Sequence, residues 1–292
     1  MIVLIDAANL AFRAYHTFVS FSNSKGYPTG MVYGFFSILN SYANQFGGKV
    51  VITWEGGDLW RKDIYSEYKV RRKELDPEIK QGFEDLQRLC TLCGLLQVRK
   101  KKYEADDLMS FIVRRIDRDI RIISNDKDLI QLIDTQKQVF LLRPSKAKGL
   151  TLYNEESVKE EFKVEKSQIV SYLAICGDKS DNIKGIRGFG PVKTSNLINN
   201  NFDPIAKIKE MYPTEAERID LNIQLVDLLN PKTMLKNISP NDIIWEEADL
   251  YALNEEFRNF EFRNYNAKDI ILNMAKPEEQ KLIYDKLIYE IE

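Results

Sequence analysis

MIVLIDAANLAFRAYH (1–16) joins an apolar run of strand length, residues 2–5, directly to an acid, Asp6. Runs of the same kind recur at 50–54 (VVITW), 95–98 (LLQV), 120–124 (IRIIS) and 139–142 (VFLL). Longer stretches with helical periodicity separate them, which is the alternation of a parallel α/β sheet. Residues 30–46 read as a helix stopped by Gly47-Gly48, and 77–93 as one opened by Pro77 behind Asp76 as N-cap. Over 104–118, Leu108, Phe111, Ile112 and Ile116 fall on one face, which predicts a helix buried on that side. The expected fold is α/β, with a central, mostly parallel sheet flanked by helices.

Beyond about residue 153 no further strand is expected. Asn154 caps a predicted helix to Phe162, Gln168–Cys176 is a second with Gly177 just past its end, and Pro191 starts a third. The chain thus divides into an α/β core, 1–153, and a helical region, 154–292. Residues 143–150 (RPSKAKGL) are expected to form a mobile loop.

With 292 residues, 44% of them hydrophobic, the chain can bury a core, so disorder is not the expectation. Asp6 interrupts the first apolar run, so neither a signal peptide nor a membrane span is readable there, and a cytoplasmic location follows as an expectation. Cys90, Cys93 and Cys176 make no disulfide framework and are expected to be buried thiols. The net charge of −2 hides an uneven distribution: Arg61, Lys62, Lys69, Arg71, Arg72 and Lys73 crowd one short segment, and Arg99–Lys102 is an unbroken basic run.

The acids are distributed in a pattern. Asp6 follows the first strand, Glu55 the second, and Asp126 and Asp128 the fourth, so strands deliver acids at their carboxyl ends, where open parallel sheets form sites. Glu104, Asp106 and Asp107 open the helix after the third strand, and Asp178 and Asp181 follow the helix ending at Cys176. So many ionised carboxylates in one cleft repel one another unless divalent cations neutralise them. An all-oxygen donor set selects Mg²⁺ or Mn²⁺ over zinc, and two ions roughly 4 Å apart can clamp the attacking and leaving oxygens of a phosphodiester. The single histidine, His16, leaves little room for histidine-based hydrolysis. Taken singly, each acid has a plainer explanation: first-turn acids favour the helix dipole, Asp126 and Asp128 would serve as a cap, and the rest as solvated loop residues. Their co-occurrence at one predicted sheet edge points to a metal site.

Ordered motifs over nearly the first 200 residues carry a resemblance: LIDAANLAFRAYH (4–16), WEGG (54–57), WR (60–61), EYKVRR (67–72), YEADD (103–107), SNDKDL (124–129), GDKSDNI (177–183) and GIRGFGPVKT (185–194). In these the chain resembles the 5′ nuclease family, which includes phage 5′–3′ exonucleases, flap endonucleases and the N-terminal nuclease domain of bacterial DNA polymerase I. The resemblance implies that Asp6, Glu104, Asp106, Asp107, Asp126, Asp128, Asp178 and Asp181 bind two Mg²⁺ ions, directly or through water. Glu55 stands where the family usually has aspartate, so its direct ligation is in doubt.

The resemblance also implies a helical arch about 60–82, with Tyr68, Lys69 and Arg72 at its base and the two cations aimed at the scissile phosphate. A cation there can stabilise developing charge by about 3–4 kcal/mol. Lys69, Arg72 and Asp126 form the expected catalytic set, and Arg61, Tyr68, Lys69, Arg71 and Arg72 would contact DNA. Asn9, Arg13, Tyr15 and His16 match the family's first helix but stay outside the catalytic set. Residues 168–200 are expected to form a helix-hairpin-helix. Gly188 and Gly190 would permit positive φ and close approach to phosphate, Pro191 would start a helix facing the anion, and Lys193 would add charge. K⁺ at this hairpin is implied by the family alone.

The expected activity is hydrolysis near 5′ ends of flap, nicked or primer-bearing DNA, including RNA:DNA hybrids, in replication or repair. A monomer acting as a separate polypeptide in a bacterial or phage-infected cell, in contact with replication proteins and not with membranes, completes the expectation. Two alternatives stand beside it. One is a branched-DNA-binding protein with weakened chemistry, for which Glu55 is the hint; the other is a PIN-type ribonuclease, which would give no reason for the downstream hairpin.

Overall fold

The computed structural model describes residues 1–46, 49–145, 149–263 and 265–289. Its strands are β1 (Ile2–Asp6), β2 (Lys49–Trp54), β3 (Leu96–Arg99), β4 (Ile120–Ile123), β5 (Val139–Ser145), β6 (Gly149–Tyr153), β7 (Gly177–Asp178), β8 (Ile183–Lys184) and β9 (Ile243–Ile244). The helices are α1 (Ala7–Thr17), α2 (Gly30–Phe46), α3 (Trp60–Ile64), α4 (Pro77–Leu92), α5 (Ala105–Arg115), α6 (Glu155–Phe162), α7 (Ile169–Cys176), α8 (Pro191–Asn199), α9 (Pro204–Met211), α10 (Ala216–Val226), α11 (Leu250–Asn259), α12 (Ala267–Met274) and α13 (Pro277–Ile288).

One sheet runs β6-β5-β4-β1-β2-β3-β9, and its five inner strands are parallel. β1 lies at the centre, and because successive side chains point to opposite faces, its residues feed two cores. Ile2 and Leu4 join α5, α7 and α13 on one side, while Val3 and Ile5 join α1, α2, α4, α11 and α12 on the other. The expected face of α5 is buried, with Leu108 and Ile112 fully enclosed. This two-sided burial makes the strands read as continuous apolar runs. Cys90 and Cys93 are buried free thiols and Cys176 is half-buried.

Both sheet edges depart from expectation. Residues 143–150 are not a free loop: β5 extends to Ser145 and pairs antiparallel with β6 from Gly149, while 146–148 lie outside the described residues. Gly47 and Gly48, expected to stop α2, also lie outside them. At the opposite edge β9 pairs antiparallel with β3. Covering an exposed strand edge removes a surface prone to pairing with other chains. The part of the chain past residue 240 therefore returns to the α/β core. Gln280 makes the junction: it is fully buried, accepts from Leu96 N (3.2 Å) and donates to Val50 O (3.0 Å).

The basic segment 65–76 is no helix. Turns run from Ser66 to Arg71 and an extended stretch follows to Pro77, where α4 begins with Asp76 at the cap position but no side-chain cap bond. Its base is pinned by Lys69 N, which donates to Asp181 O (2.9 Å), and by Lys69 itself in the left-handed region, φ 54°. A lysine held there costs about 1–2 kcal/mol, which the surrounding hydrogen bonds offset. Residues 169–199 form α7, a β7–β8 ribbon, the loop 185–190 and α8. A small core of Ile175, Ile186, Phe189, Ile208 and Ile219 supports that loop.

Candidate metal centre

Asp6 ends β1 and caps α1: its Oδ1 accepts from Asn9 N (3.0 Å) and its Oδ2 from the Ser124 hydroxyl (3.1 Å) at the end of β4. Two residues past Ser124, Asp126 accepts from Asp128 N (2.9 Å), and Asp106 stands in the first turn of α5. Asp6, Glu55, Glu104, Asp106 and Asp126 all line one open cleft of about 880 Å³, together with Lys69 and Arg72. Asp128, Asp178 and Asp181 form a second group, each offering a carboxylate oxygen within 4.8 Å of the others.

The electrostatics follow from burial and crowding. Burial, with Asp126 and Glu55 adding to it, raises the Asp6 carboxyl to about 6. Burial lifts Asp106 and Asp128 well above the usual carboxylate range and Asp126 less far, each acid adding to the next. Burial would also raise Glu104, but Arg61 and Lys69 outweigh it and hold that carboxyl low. Lys127 and Ser180 do the same for Asp178. Among the described residues no lysine or arginine makes an ion pair with Asp6, Asp106 or Asp126. One buried and two half-buried carboxylates that lack a cation, with no histidine or cysteine among them, form a donor set that fits hard divalent ions.

Three expected roles are corrected. Asp107 does not face the cleft: Arg61 grips it with two bonds of 2.8 Å, and its Oδ2 also accepts from Trp60 Nε1 (3.3 Å) and Glu104 N (3.0 Å). Arg61 is only 2% exposed, bridges Asp107 and Glu104 (2.6 Å), and donates from Nε to Leu225 O on α10 (2.8 Å), so it cannot reach DNA. Tyr68 is buried too, its hydroxyl 2.9 Å from Glu104 Oε2 and 3.1 Å from Asp181 Oδ2. Burial, then the charge of Glu104, pushes that phenol far up, so it keeps its one hydrogen, which the two acids share or exchange.

Lys69 pairs with Glu104 and lies 3.6 Å from Asp181, while Arg72 pairs with Asp181 at 3.0 Å. Arg71 is exposed and Glu55 stands exposed at the cleft mouth. At the hairpin loop, Gly188 has φ 84°, but Gly190 is extended (φ −86°, ψ −178°), so the positive φ expected there is absent. A Cβ at either glycine would meet nothing within 4 Å, which leaves the loop backbone open to approach. Lys193, exposed, lies over the Phe189 ring at 4.4 Å.

The sequence reading passed over Ser124, which orients Asp6, and Lys127, whose Nζ lies 2.6 Å from Asp178. Both stand inside SNDKDL, Ser124 ahead of the acids and Lys127 between them, so the available signal was a polar residue beside acids. Phe12 from α1, Lys80 and Phe83 from α4 and Arg99 from β3 also line the cleft; of these only Arg99 stood in a stretch marked by its charge. Gly56 is explained by space: a Cβ there would sit 1.7 Å from Lys100 O. Gly56→Ala is expected to destabilise the fold by about 1–3 kcal/mol, measured by denaturant melts. An unchanged midpoint would contradict this close packing.

No helix among the described residues is long and apolar enough to cross a membrane. The profile of the family described as 5′–3′ exonuclease, N-terminal resolvase-like domain, matches residues 1–163. A 5′–3′ exonuclease of Aquifex aeolicus is 27% identical over 275 residues, 89% of this chain and 92% of that protein. DNA polymerase I of Bacillus subtilis is 31% identical over 217 residues, 72% of this chain but 24% of the polymerase. Among solved structures, T5 5′-exonuclease with divalent zinc ions bound superposes with a TM-score of 0.65 at 23% identity, covering 94% of this chain and 99% of that one. With a profile match over more than half its length, the chain belongs to the 5′–3′ exonuclease family.

Proposed function

We propose that this protein is a structure-specific 5′ nuclease that hydrolyses phosphodiester bonds near 5′ ends of flap, nicked or primer-bearing DNA, RNA:DNA hybrids included, using two Mg²⁺ ions, with Mn²⁺ able to replace them. The observation that carries this is the meeting of acids from β1, α5 and the loop after β4 in one cleft, with a second carboxylate group formed by Asp128, Asp178 and Asp181. Asp6, Glu104, Asp106 and Asp126 would hold one ion, Asp128, Asp178 and Asp181 the other, and Glu55 would reach the first through water. Bound there, the ions supply Lewis acidity toward the phosphodiester and cancel the repulsion of the cluster.

The chain's own cations complete the site. Lys69 and Arg72 stand over the acids and supply positive charge to the scissile phosphate, with Tyr68 fixing the Glu104 carboxylate beneath them. Asp107 serves α5 and Arg61 rather than an ion. The open loop at Gly188 and Gly190, the start of α8, and Lys193 hold the duplex backbone without reading bases, with Arg71 contributing from the basic segment. K⁺ at this hairpin, a monomeric state and a cytoplasmic setting belong to the same proposal through the family. Cleavage mapping on matched flap, nicked, gapped and hybrid substrates with Mg²⁺ tests it. Products cut near the 5′ end are expected; binding without product at any Mg²⁺ concentration would turn the assignment to a branched-DNA binder.

Metal and proton compete for the same carboxylates. Asp6 titrates at about 6 when folded, against an ordinary 3.8. The folded state therefore holds its proton more tightly. Stability from this group is fully present below pH 3.8 and lost as pH rises through 6, a loss on the order of 3 kcal/mol. Divalent ions remove that loss. Mg²⁺ should raise the Tm clearly at pH 7.5 and little at pH 5, followed by thermal melts; equal shifts at both pH values would contradict ligation by Asp6.

A further inference from the structure

Counter-charge is unevenly shared between the acids of the cleft and the Asp128–Asp178–Asp181 group. Asp6, Asp106 and Asp126 have no ion-pair partner among the described residues, but Asp178 has Lys127 at 2.6 Å. Lys127 stands between Asp126 and Asp128 in the chain, yet its side chain leaves both and crosses to the β7–β8 turn. Asp178 is thereby engaged on both oxygens: Oδ1 accepts from Ser180 N (2.7 Å) and from the Ser180 hydroxyl (2.6 Å), and Oδ2 from Lys127. The same carboxylate lies within 4.8 Å of ligand oxygens of Asp128 and Asp181. An ammonium and a divalent ion seek the same lone pairs and repel each other.

Resting on the metal assignment above, we propose that Lys127 is a positioning residue, an internal cation that holds Asp178 and competes with the divalent ion for it. Loading of the Asp128–Asp178–Asp181 group then requires Lys127 to swing away. The side chain suits such a movement, being one-third exposed and carried on a flexible four-carbon stem. Arg72 on Asp181 is tied to the basic segment and to the scissile phosphate role, whereas among the described residues the ion pair of Lys127 is with Asp178 alone. The pair also links the loop after β4 to the ribbon that follows α7, two segments 51 residues apart in sequence.

Calorimetric titration of the full chain with Mn²⁺ tests this, using wild type, Lys127→Met, Lys127→Gln and Lys127→Arg, each also combined with Asp178→Asn. Removing the competing charge is expected to tighten Mn²⁺ binding about tenfold in the Met and Gln variants. Arginine should restore near-wild-type affinity, and the Met substitution should change nothing once Asp178 is asparagine. Thermal melts without metal check that the variants fold, and with Mn²⁺ the Met variant should gain more than wild type. A lysine with a merely structural role would give weaker or unchanged binding on removal, and either result overturns the inference while leaving the metal assignment standing. If wild type itself binds no Mn²⁺, both fall together.

Discussion

Asp126→Asn is expected to lower turnover by about three orders of magnitude, roughly 4 kcal/mol in the barrier, while leaving binding of a 5′-flap duplex intact. The carboxylate lines the cleft, is repelled by Asp181 and Asp178, and makes no ion pair among the described residues, so its negative charge is available for a cation. Asparagine keeps the shape and an oxygen but removes that charge. DNA, itself anionic, loses one repulsive neighbour, so its affinity should hold or rise. Stability should move the opposite way from activity. Burial raises the Asp126 carboxyl, so ionising it weighs against the folded state above the ordinary carboxylate range, and the neutral side chain relieves this. The metal-free variant should melt higher than wild type at pH 7.5 and gain less from Mg²⁺. Such a trade between stability and activity is the usual mark of a functional site. Single-turnover cleavage and gel-shift titrations decide the first part; full activity in pure variant protein would remove Asp126 from the catalytic set.

Arg61→Met is expected to destabilise the fold by about 3–5 kcal/mol, because it leaves Asp107, and in part Glu104, buried without their cation. At this chain length that corresponds to a fall in Tm of about 5–8 °C. Arg61→Lys should fall between, since a lysine keeps the charge but cannot span both Asp107 oxygens and the Leu225 carbonyl. Chemical melts of the metal-free variants give the numbers. Were Arg61 instead a DNA contact, the variant would melt normally and bind DNA more weakly, and that pair of results would reverse the correction made from its burial.

These two residues show where the sequence was legible. The position of Asp126 in the cleft was legible because it follows an apolar strand, and in a parallel sheet the chain must leave every strand at the same edge. Arg61 was misread because an arginine in a basic run looks the same whether it points to solvent or inward. Its partners, Glu104 and Asp107, lie 43 and 46 residues away. Asp107 was misread for the matching reason: YEADD offers three acids in one turn of chain, and only the packing of α3 decides which faces the cleft. β9 escaped notice because two residues carry no periodicity, and β6 because a short five-residue run that begins at a glycine reads as turn and loop.

What the sequence alone determined is what near neighbours dictate: the apolar strands, the capped helices between them, and hence a parallel sheet whose carboxyl edge collects acids. Tertiary structure alone decided how the charges pair, which acids stay free for cations, and where the C-terminal segment docks. Hydrophobic periodicity and capping act over a few residues and are written locally, whereas Coulombic partnership falls off with distance in space and is indifferent to distance along the chain.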